Sequence, residues 1–230
     1  MAQWSCPLPG GGAVQEWALT HRPDGDEKAR LLIVPALFDE GNKMRRFTVE
    51  VMRRLSGSGI ACFLPDLPGL NESGLQLEEQ TPSDWQAAME GAARHFGATH
   101  MLAIRGGALA APRDVPGWHY APLAGASQLR QMLRARILAS REAGRSETQD
   151  SLLEHGRVKG LELAGYRLGP DFLSEFGGIV ADARPDVQTI TQDMLGGPGL
   201  WMRPEPGEDA SQADALAAVI AVGVAQGEWA

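Results

Sequence analysis

The segment 101–110 has the residue spacing of a nucleophile elbow, the sharp strand-to-helix turn that exposes one reactive side chain above a parallel sheet. An apolar run ending at Ile104 predicts a buried strand, and Ala103 and Gly107 occupy the two positions where so tight a turn needs small residues. The nucleophile position between them holds Arg105. A guanidinium stays protonated and offers only hydrogen-bond donors, so it does not attack a carbonyl carbon. The segment therefore predicts the frame of a hydrolytic site without its reactive atom.

The histidine that would serve as general base is also missing from its expected place. A serine–histidine–acid site on such a sheet takes its acid and then its histidine from loops later in the chain. The loop 193–204, which follows the last predicted strand, has no histidine. After Arg105 only His119, in or beside a predicted strand, and His155 remain, and a structural or surface role is favoured for both. Two members of the catalytic triad are thus absent, which predicts a degenerate site.

Three other residues are weaker catalytic candidates. Glu40 and Asp66 follow core strands, at the edge of an open α/β sheet where ligands bind, and a carboxylate there can act as a general base. Ser73 follows a strand loop, but neither a helix N-terminus nor a base accompanies it in the sequence. The sequence has no cluster with metal-ligand spacing and no phosphate-binding loop motif, so we expect neither a metal nor a cofactor.

A densely charged segment, 39–46, joins the first core strand to its helix. It carries three cations and two acids: Lys43, Arg45, Arg46, Asp39 and Glu40. The apolar periodicity predicts that the cations fall in the first helical turn, where positive charge opposes the helix dipole. Either the two acids or an anionic ligand would compensate. Because the loop after the first strand lies beside the elbow in this topology, we expect Arg105 to approach one of these acids.

Three arrangements of Arg105 are open from the sequence. The favoured one is a structural ion pair with Asp39 or Glu40 that closes the site where an oxyanion would bind. In the second, Arg105 acts with Asn42 or Lys43 in a pocket for an anionic group. In the third, the side chain points to solvent. The ligand-binding residues predicted for such a pocket are Arg105, Asp39, Glu40, Asn42, Lys43, Arg46 and Trp201.

The elements around these residues alternate between strand and helix. Short apolar runs at 31–34, 60–64 and 100–104 predict core strands covered on both faces. A helix with Thr81 as N-cap and Pro82 as its first residue precedes the third strand. The alternation predicts right-handed crossovers and a parallel sheet. We further predict a loose N-terminal arm at 1–12, strands at 14–20, 118–123, 179–181 and 187–191, and a final helix at 213–224.

The chain divides into a predicted core and a predicted insertion. Residues 1–124 and 177–230 form an α/β core, a mostly parallel sheet with helices on both faces, and residues 125–176 form a small helical lid. The lid begins with a helix at 126–143 that is rich in arginine: Arg130, Arg134, Arg136 and Arg141, with Arg145 just beyond it. A solvated helix face is the favoured interpretation, and an anionic surface or partner is the alternative.

The composition is that of a globular protein, with 230 residues, 43% hydrophobic and 22% charged. A net charge of -8 disfavours general nucleic-acid binding. Cys6 and Cys62 have the spacing of neither a disulfide framework nor a zinc site, which favours a reducing compartment. We find no signal peptide and no apolar run long enough for a membrane span, so we expect a cytoplasmic protein.

Five segments, in order along the chain, resemble motifs of one protein family. Pro35-Ala-Leu-Phe-Asp-Glu-Gly-Asn-Lys-Met-Arg-Arg46 resembles the Pro-Pro-Phe-x-Glu-Glu-x-Asn-Lys-x-Arg-Arg signature of the second type of exosortase A system-associated hydrolase. The segment 103–107 is similar to the Gly-Leu-Arg-x-Gly elbow of that family, which also carries arginine. The segments 65–73, 164–168 and 199–205 are similar to its other motifs. Departures include Asp39 for Glu, Asn71 for Gly, and shortened segments after residues 110 and 180.

This resemblance implies an α/β-hydrolase fold and a link to bacterial exopolysaccharide and exosortase systems. The word hydrolase is there a fold-level name, which does not establish an activity. The leading hypothesis is a catalytically degenerate α/β-hydrolase-fold protein that binds an anionic or sugar-linked ligand, or a protein partner, of such a system. The alternatives are an atypical hydrolase of ester or acyl substrates that uses an unpredicted residue, and a structural interaction module.

Overall fold

A seven-stranded, mostly parallel sheet with helices on both faces forms the centre of the protein, in a computed structural model that describes residues 1–227. The strands are β1 (Ala2–Pro7), β2 (Ala13–His21), β3 (Ala29–Val34), β4 (Ile60–Pro65), β5 (His100–Ile104), β6 (Gly117–Tyr120), β7 (Leu161–Leu163), β8 (Tyr166–Leu168) and β9 (Val187–Ile190). The helices are α1 (Phe38–Gly57), α2 (Pro82–Phe96), α3 (Gly125–Glu142), α4 (Gln149–Lys159), α5 (Pro170–Glu175), α6 (Gln192–Leu195) and α7 (Ala210–Gln226). The predicted fold class is confirmed.

The sheet order is β1-β2-β4-β3-β5-β6-β9, and β7 and β8 form a separate hairpin. From β3 the chain passes through α1 to β4 on one side, and then through α2 to β5 on the other side. The strand order therefore reverses between β3 and β5. In open α/β sheets the carboxyl ends of the strands at such a reversal form the crevice where ligands bind. Both Glu40, in the segment after β3, and Arg105, after β5, lie at this point.

The N-terminal segment is a strand, and the predicted loose arm was wrong. β1 pairs antiparallel with β2, and Trp4 and Cys6 are fully buried against α2. Alternate apolar residues give β1 a buried face, which outweighs the proline and glycine content that suggested an arm. The glycines form the hairpin turn instead, with Gly11 and Gly12 in the left-handed region.

Helix α1 begins at Phe38, before the position expected from the apolar periodicity. Asp39 and Glu40 therefore occupy its first turn, where negative charge complements the helix dipole. Lys43 and Arg46 follow beyond that turn. The expected repulsion between first-turn cations and the helix dipole is therefore absent. The apolar periodicity identified the packed middle of the helix, and it did not include the acidic first turn.

The predicted start of α2 is confirmed, and a predicted strand after α5 is wrong. Thr81 caps α2 in a capping box with Asp84, as the sequence indicated, and Gly97 ends the helix in the left-handed conformation. The strand predicted at 179–181 is wrong. The carbonyl of Ile179 accepts a hydrogen bond from the backbone of Gly125 at the start of α3, so this segment anchors a helix and joins no sheet.

Each face of the sheet carries its own core. Helices α1 and α7 cover one face, and α2 covers the other together with elements of the segment 125–176. That segment contains α3, α4, the β7–β8 hairpin and α5, and its role as a lid stays a prediction. None of the helices in residues 1–227 combines the length and apolar character needed to cross a bilayer.

Candidate site at the carboxyl edge of the sheet

The elbow after β5 is present. The backbone of Arg105 has a φ of 53°, and one short 3-10 turn, Arg105–Ala110, follows directly. A Cβ on Gly107 would lie 2.3 Å from the carbonyl oxygen of Pro35, and a Cβ on Gly106 would lie equally close to the Gln128 side chain. The turn therefore requires small residues here. A positive φ costs about 1–2 kcal/mol in an L-residue with a side chain, so the surrounding packing holds Arg105 in place.

The guanidinium of Arg105 is enclosed by partners on three sides. Its Nε and Nη2 donate to the two carboxylate oxygens of Glu40 at 3.0 and 3.1 Å, and its Nη1 donates to the carbonyl of Ala121 at 2.8 Å. The Trp201 ring covers one face, with its centroid 3.9 Å from the Arg105 Cζ. The Arg105 and Glu40 side chains are only 8% and 9% exposed. The expected approach of Arg105 to one of the two acids is confirmed, and the acid is Glu40.

The ion pair holds both side chains in one orientation at the elbow. Both oxygens of Glu40 accept from the fork of the guanidinium, and this charge-assisted pair fixes the carboxylate against Arg105. Arg105 has three of its five N–H groups engaged and one face covered by an aromatic ring. The place where a nucleophile would stand is occupied by a buried, internally neutralised ion pair.

Backbone strain is concentrated around this site. Phe38, Asn71, Arg105 and Ala121 all have positive φ values, between 45° and 54°. They follow β3, β4, β5 and β6 respectively, so every central parallel strand is followed by one such residue. Strained backbone of this kind persists only where packing over-determines it, and it gathers at functional sites. Four of the five non-glycine residues with positive φ in the described backbone therefore lie at the carboxyl edge of the sheet, and the fifth, Ala164, lies in the β7–β8 hairpin.

The other predicted ligand-binding residues have separate partners. Lys43 pairs with Asp39 at 2.8 Å, one turn along α1. Arg46 pairs with Glu208. The Asn42 side-chain amide donates to the hydroxyl of Tyr166, in β8, at 3.4 Å. The structure thus brings together Arg105, Glu40 and Trp201, while the remaining members of the predicted group lie outside that cluster.

Ser73 belongs to a second polar cluster that sequence reasoning did not find. Its hydroxyl donates to Glu16 at 2.6 Å and accepts from the backbone N–H groups of Gly69 and Leu75 at 2.9 and 3.2 Å. Glu16 is 1% exposed, and burial raises the pKa of its carboxyl, which the Ser73 hydrogen bond opposes and the charge of Asp66 reinforces. All three hydrogen-bonding positions of the hydroxyl are used, so Ser73 acts as an organiser of its loop.

Glu16 had a signal in the sequence that went unused. It lies two residues from Val14 and Ala18 on β2, so the period of two places it on the same face as these apolar residues. Asp66 completes the cluster, 2% exposed and accepting from Asn71 at 2.9 Å and from Arg45 at 3.4 Å. Asp66 therefore has its acceptor oxygen Oδ1 engaged by two donors.

The two later histidines stand away from the elbow. His119 is 4% exposed and lines a cavity of about 60 Å³ with Met101 and Arg184. Burial and the charge of Arg184 lower its pKa to about 4, so its imidazole is neutral near pH 7. His155 is exposed on α4. Within residues 1–227 no hydrogen bond links either histidine to Ser73 or Arg105.

The two cysteines are buried, and the side chains that could ligate a metal are dispersed in the described chain. Cys6 and Cys62 are buried free thiols, and burial raises the pKa of each to about 12, so neither is a thiolate nucleophile near neutral pH. Among residues 1–227, no group of three or more histidine, cysteine or acidic side chains has the arrangement of a metal site.

A small cleft lies next to the closed elbow, above β3 and β4. Its volume is about 40 Å³, and its polar lining comes from Arg45, Asn71 and Tyr166. An aromatic cluster fills the space beneath it, where Phe38 contacts Tyr166, Trp85, Phe172 and Phe176 with ring centroids 5.1 to 6.1 Å apart. The cleft is therefore small, and both aromatic and hydrogen-bonding side chains line it.

No protein-family model matches the chain, and no curated protein matches it either. Several solved structures, however, have a similar fold. The mouse alpha/beta hydrolase domain-containing protein 10 matches with a TM-score of 0.56 and 13% identity over 98% of this chain and 99% of that one. The esterase domain of a Rhodothermus marinus protein matches with a TM-score of 0.52 and 15% identity, over 99% of this chain and 97% of that one. The proline iminopeptidase of Mycobacterium smegmatis matches with a TM-score of 0.50 and 11% identity, over 99% of each chain. At such identities the likeness concerns architecture, and it agrees with the sheet order and the elbow described above: this chain has the α/β-hydrolase fold.

Proposed function

We propose that this protein is a catalytically degenerate α/β-hydrolase-fold protein that acts by binding. The observation that carries the proposal is the closed elbow, where Glu40, Ala121 and Trp201 surround the guanidinium of Arg105. A nucleophile and a base within hydrogen-bond reach are the minimum for covalent hydrolysis on this fold. The elbow supplies neither.

The weaker catalytic candidates support the same proposal. Glu40 is held by Arg105, Asp66 by Asn71 and Arg45, and Ser73 by Glu16 and two backbone groups. Each of these groups is therefore already bound by neighbours within the protein.

A binding role fits the cleft beside the elbow. Arg45 and Asn71, which also donate to Asp66, line the cleft together with Tyr166 and bring a positive charge, an amide and a hydroxyl. Sugar hydroxyls need several such donors and acceptors, and an anionic substituent needs a guanidinium. Asn42 contacts Tyr166 and so belongs to this proposed site. Because the cleft measures only about 40 Å³, it takes one small anionic group of a larger sugar-linked ligand, and the motif resemblance suggests an exopolysaccharide or exosortase system as the source of that ligand.

A hydrolysis assay separates this proposal from the atypical hydrolase. We expect the purified protein to turn over no acyl or phosphoryl ester in a broad panel. Arg105→Ser should be equally inactive, because a serine at the elbow would still lack a histidine. Turnover by the parent protein that Glu40→Gln, Asp66→Asn or Ser73→Ala abolishes would establish the hydrolase instead.

Calorimetric titration tests the binding role with three probes: glucose 1-phosphate, glucuronate and, as the neutral control, glucose. We expect the anionic probes to bind more tightly than glucose. Arg45→Gln should weaken them about tenfold or more, the loss expected for a charge-assisted hydrogen bond of about 1.5–3 kcal/mol. Arg94→Gln, an exposed arginine on α2, is the matched control and should change nothing. Failure of all three probes to bind would favour a structural interaction module.

A further inference from the structure

Helix α3 presents a row of exposed arginines. Arg130, Arg134 and Arg141 are exposed, as is Arg145 just beyond the helix end. At about 100° per residue, the three helical arginines project within about 40° of one another. Leu138 lies at the edge of the same row and is 60% exposed. We call these five residues the arginine face.

The cations of the arginine face lie outside the ion pairs of the described chain, although the charge of Arg145 helps to lower the pKa of Glu147. Most arginines of the described chain form an ion pair, and Arg136, on the same helix, pairs with Glu147 at 3.0 Å. No ion pair within residues 1–227 includes any of the four arginines of the arginine face. The hydrogen bond of Arg130 goes to the neutral hydroxyl of Ser127, at 3.0 Å.

This separation of charge is unusual for a chain with 29 acids, 21 lysines and arginines and a net charge of -8. Acids are abundant elsewhere, yet α3 carries one, Glu142, and it pairs with none of these arginines. Like charges three or four residues apart on a helix repel one another, so the free helix is destabilised by its own face. An external anion would relieve that repulsion.

Leu138 points to the kind of anion. Leu138, 60% exposed, places an apolar side chain beside the cations. An anionic lipid surface satisfies both features, because phosphate headgroups pair with arginine and the interface accepts an apolar side chain between them.

We propose that the arginine face docks on an anionic lipid surface, with α3 lying along the plane of the headgroups. The four arginines contact lipid phosphates, and Leu138 enters the interface between them. This inference goes beyond the binding role of the cleft and does not depend on it. Because the attachment rests on charge, it is reversible and sensitive to salt.

Vesicle co-sedimentation of the full chain tests the proposal, with mixed phosphatidylglycerol–phosphatidylcholine vesicles against pure phosphatidylcholine. We expect binding to the anionic vesicles alone and its loss at high salt. The variant with Arg130, Arg134, Arg141 and Arg145 all changed to glutamine should lower the partition coefficient several hundredfold, at about fivefold, or about 1 kcal/mol, per arginine. Glutamine is a good helix former, so α3 should persist.

A second variant shows whether vesicle binding depends on where the four charges lie or only on the total charge of the protein. Changing Arg22, Lys28, Arg53 and Arg94 to glutamine removes the same four charges from other exposed positions, and should lower vesicle binding only slightly. The arginine-face variant should also melt at or above the temperature of the parent protein, because it loses internal repulsion and no ion pair.

Three results would overturn the proposal: absence of binding to anionic vesicles at low salt, an equal loss in the control variant, or binding to dextran sulfate but to no vesicle. Leu138→Gln adds a further criterion. It should weaken vesicle binding and leave binding of dextran sulfate unchanged, and the opposite pattern would exclude a lipid surface.

Discussion

The ion pair between Arg105 and Glu40 makes the sharpest prediction about stability. Arg105→Ala removes three hydrogen bonds and leaves the carboxylate of Glu40 buried, only 9% exposed, without a counter-charge. Breaking a buried pair from one side costs about 3–5 kcal/mol. At about 2–4 °C per kcal/mol for a domain of this size, the melting temperature should fall by roughly 10 °C.

A double variant distinguishes the ion pair from simple loss of packing. Arg105→Met with Glu40→Leu removes both charges together and keeps apolar volume at the site. Replacing both partners of a buried pair is often nearly neutral, so the double variant should be more stable than Arg105→Ala. Arg113→Ala is the surface control, because its pair with Asp182 spans 3.8 Å and is more than half exposed. It should change the free energy of unfolding by less than about 0.5 kcal/mol.

Thermal melts and urea titrations at pH 7 provide the measurement. The reasoning would be refuted if Arg105→Ala melted like the parent protein, since the guanidinium would then contribute nothing to the fold. A double variant as unstable as the single one would also count against it, because the cost would then lie in shape and not in the stranded charge.

Three further predictions concern buried groups away from the elbow. Because burial raises the pKa of Glu16 above 4.5, its contribution to the free energy of unfolding is full at low pH and is lost as the pH rises from 4.5 through the raised value. Glu16→Gln should remove this decline in urea titrations at increasing pH. The pKa of His119 is lowered from 6.5 to about 4, so the free energy of unfolding should fall by up to about 1.4 kcal/mol per pH unit as the pH falls through that interval. In His119→Asn, urea titrations should show a free energy of unfolding that depends less on pH there. Gly107→Ala would place a Cβ 2.3 Å from the Pro35 carbonyl and should cost about 3 kcal/mol or more in thermal melts, whereas Gly74→Ala, which meets no atom within 4 Å, should melt like the parent protein.

Local pattern was sufficient for most of the regular elements. The core strands 31–34, 60–64 and 100–104 and the capped start of α2 at Thr81 follow from short-range rules of burial, periodicity and capping. The errors arose where local composition was ambiguous. The glycine-rich N-terminus suggested an arm, yet burial of Trp4 against α2 makes it a strand, and that partner lies some 80 residues away in the chain.

For the candidate site, too, some features follow from the sequence and others depend on the tertiary structure. The sequence by itself determined that the elbow holds an arginine, that no histidine follows in the last loop, and that an acid from the first loop would approach Arg105, because chain order and parallel topology leave few alternatives. Only the tertiary structure decided which acid it is, that Trp201 stacks on the guanidinium, and that Glu16 meets Ser73. These contacts join residues from separate elements at distances of a few ångströms, and such distances depend on how helices and loops pack over the sheet, which residue spacing alone does not specify.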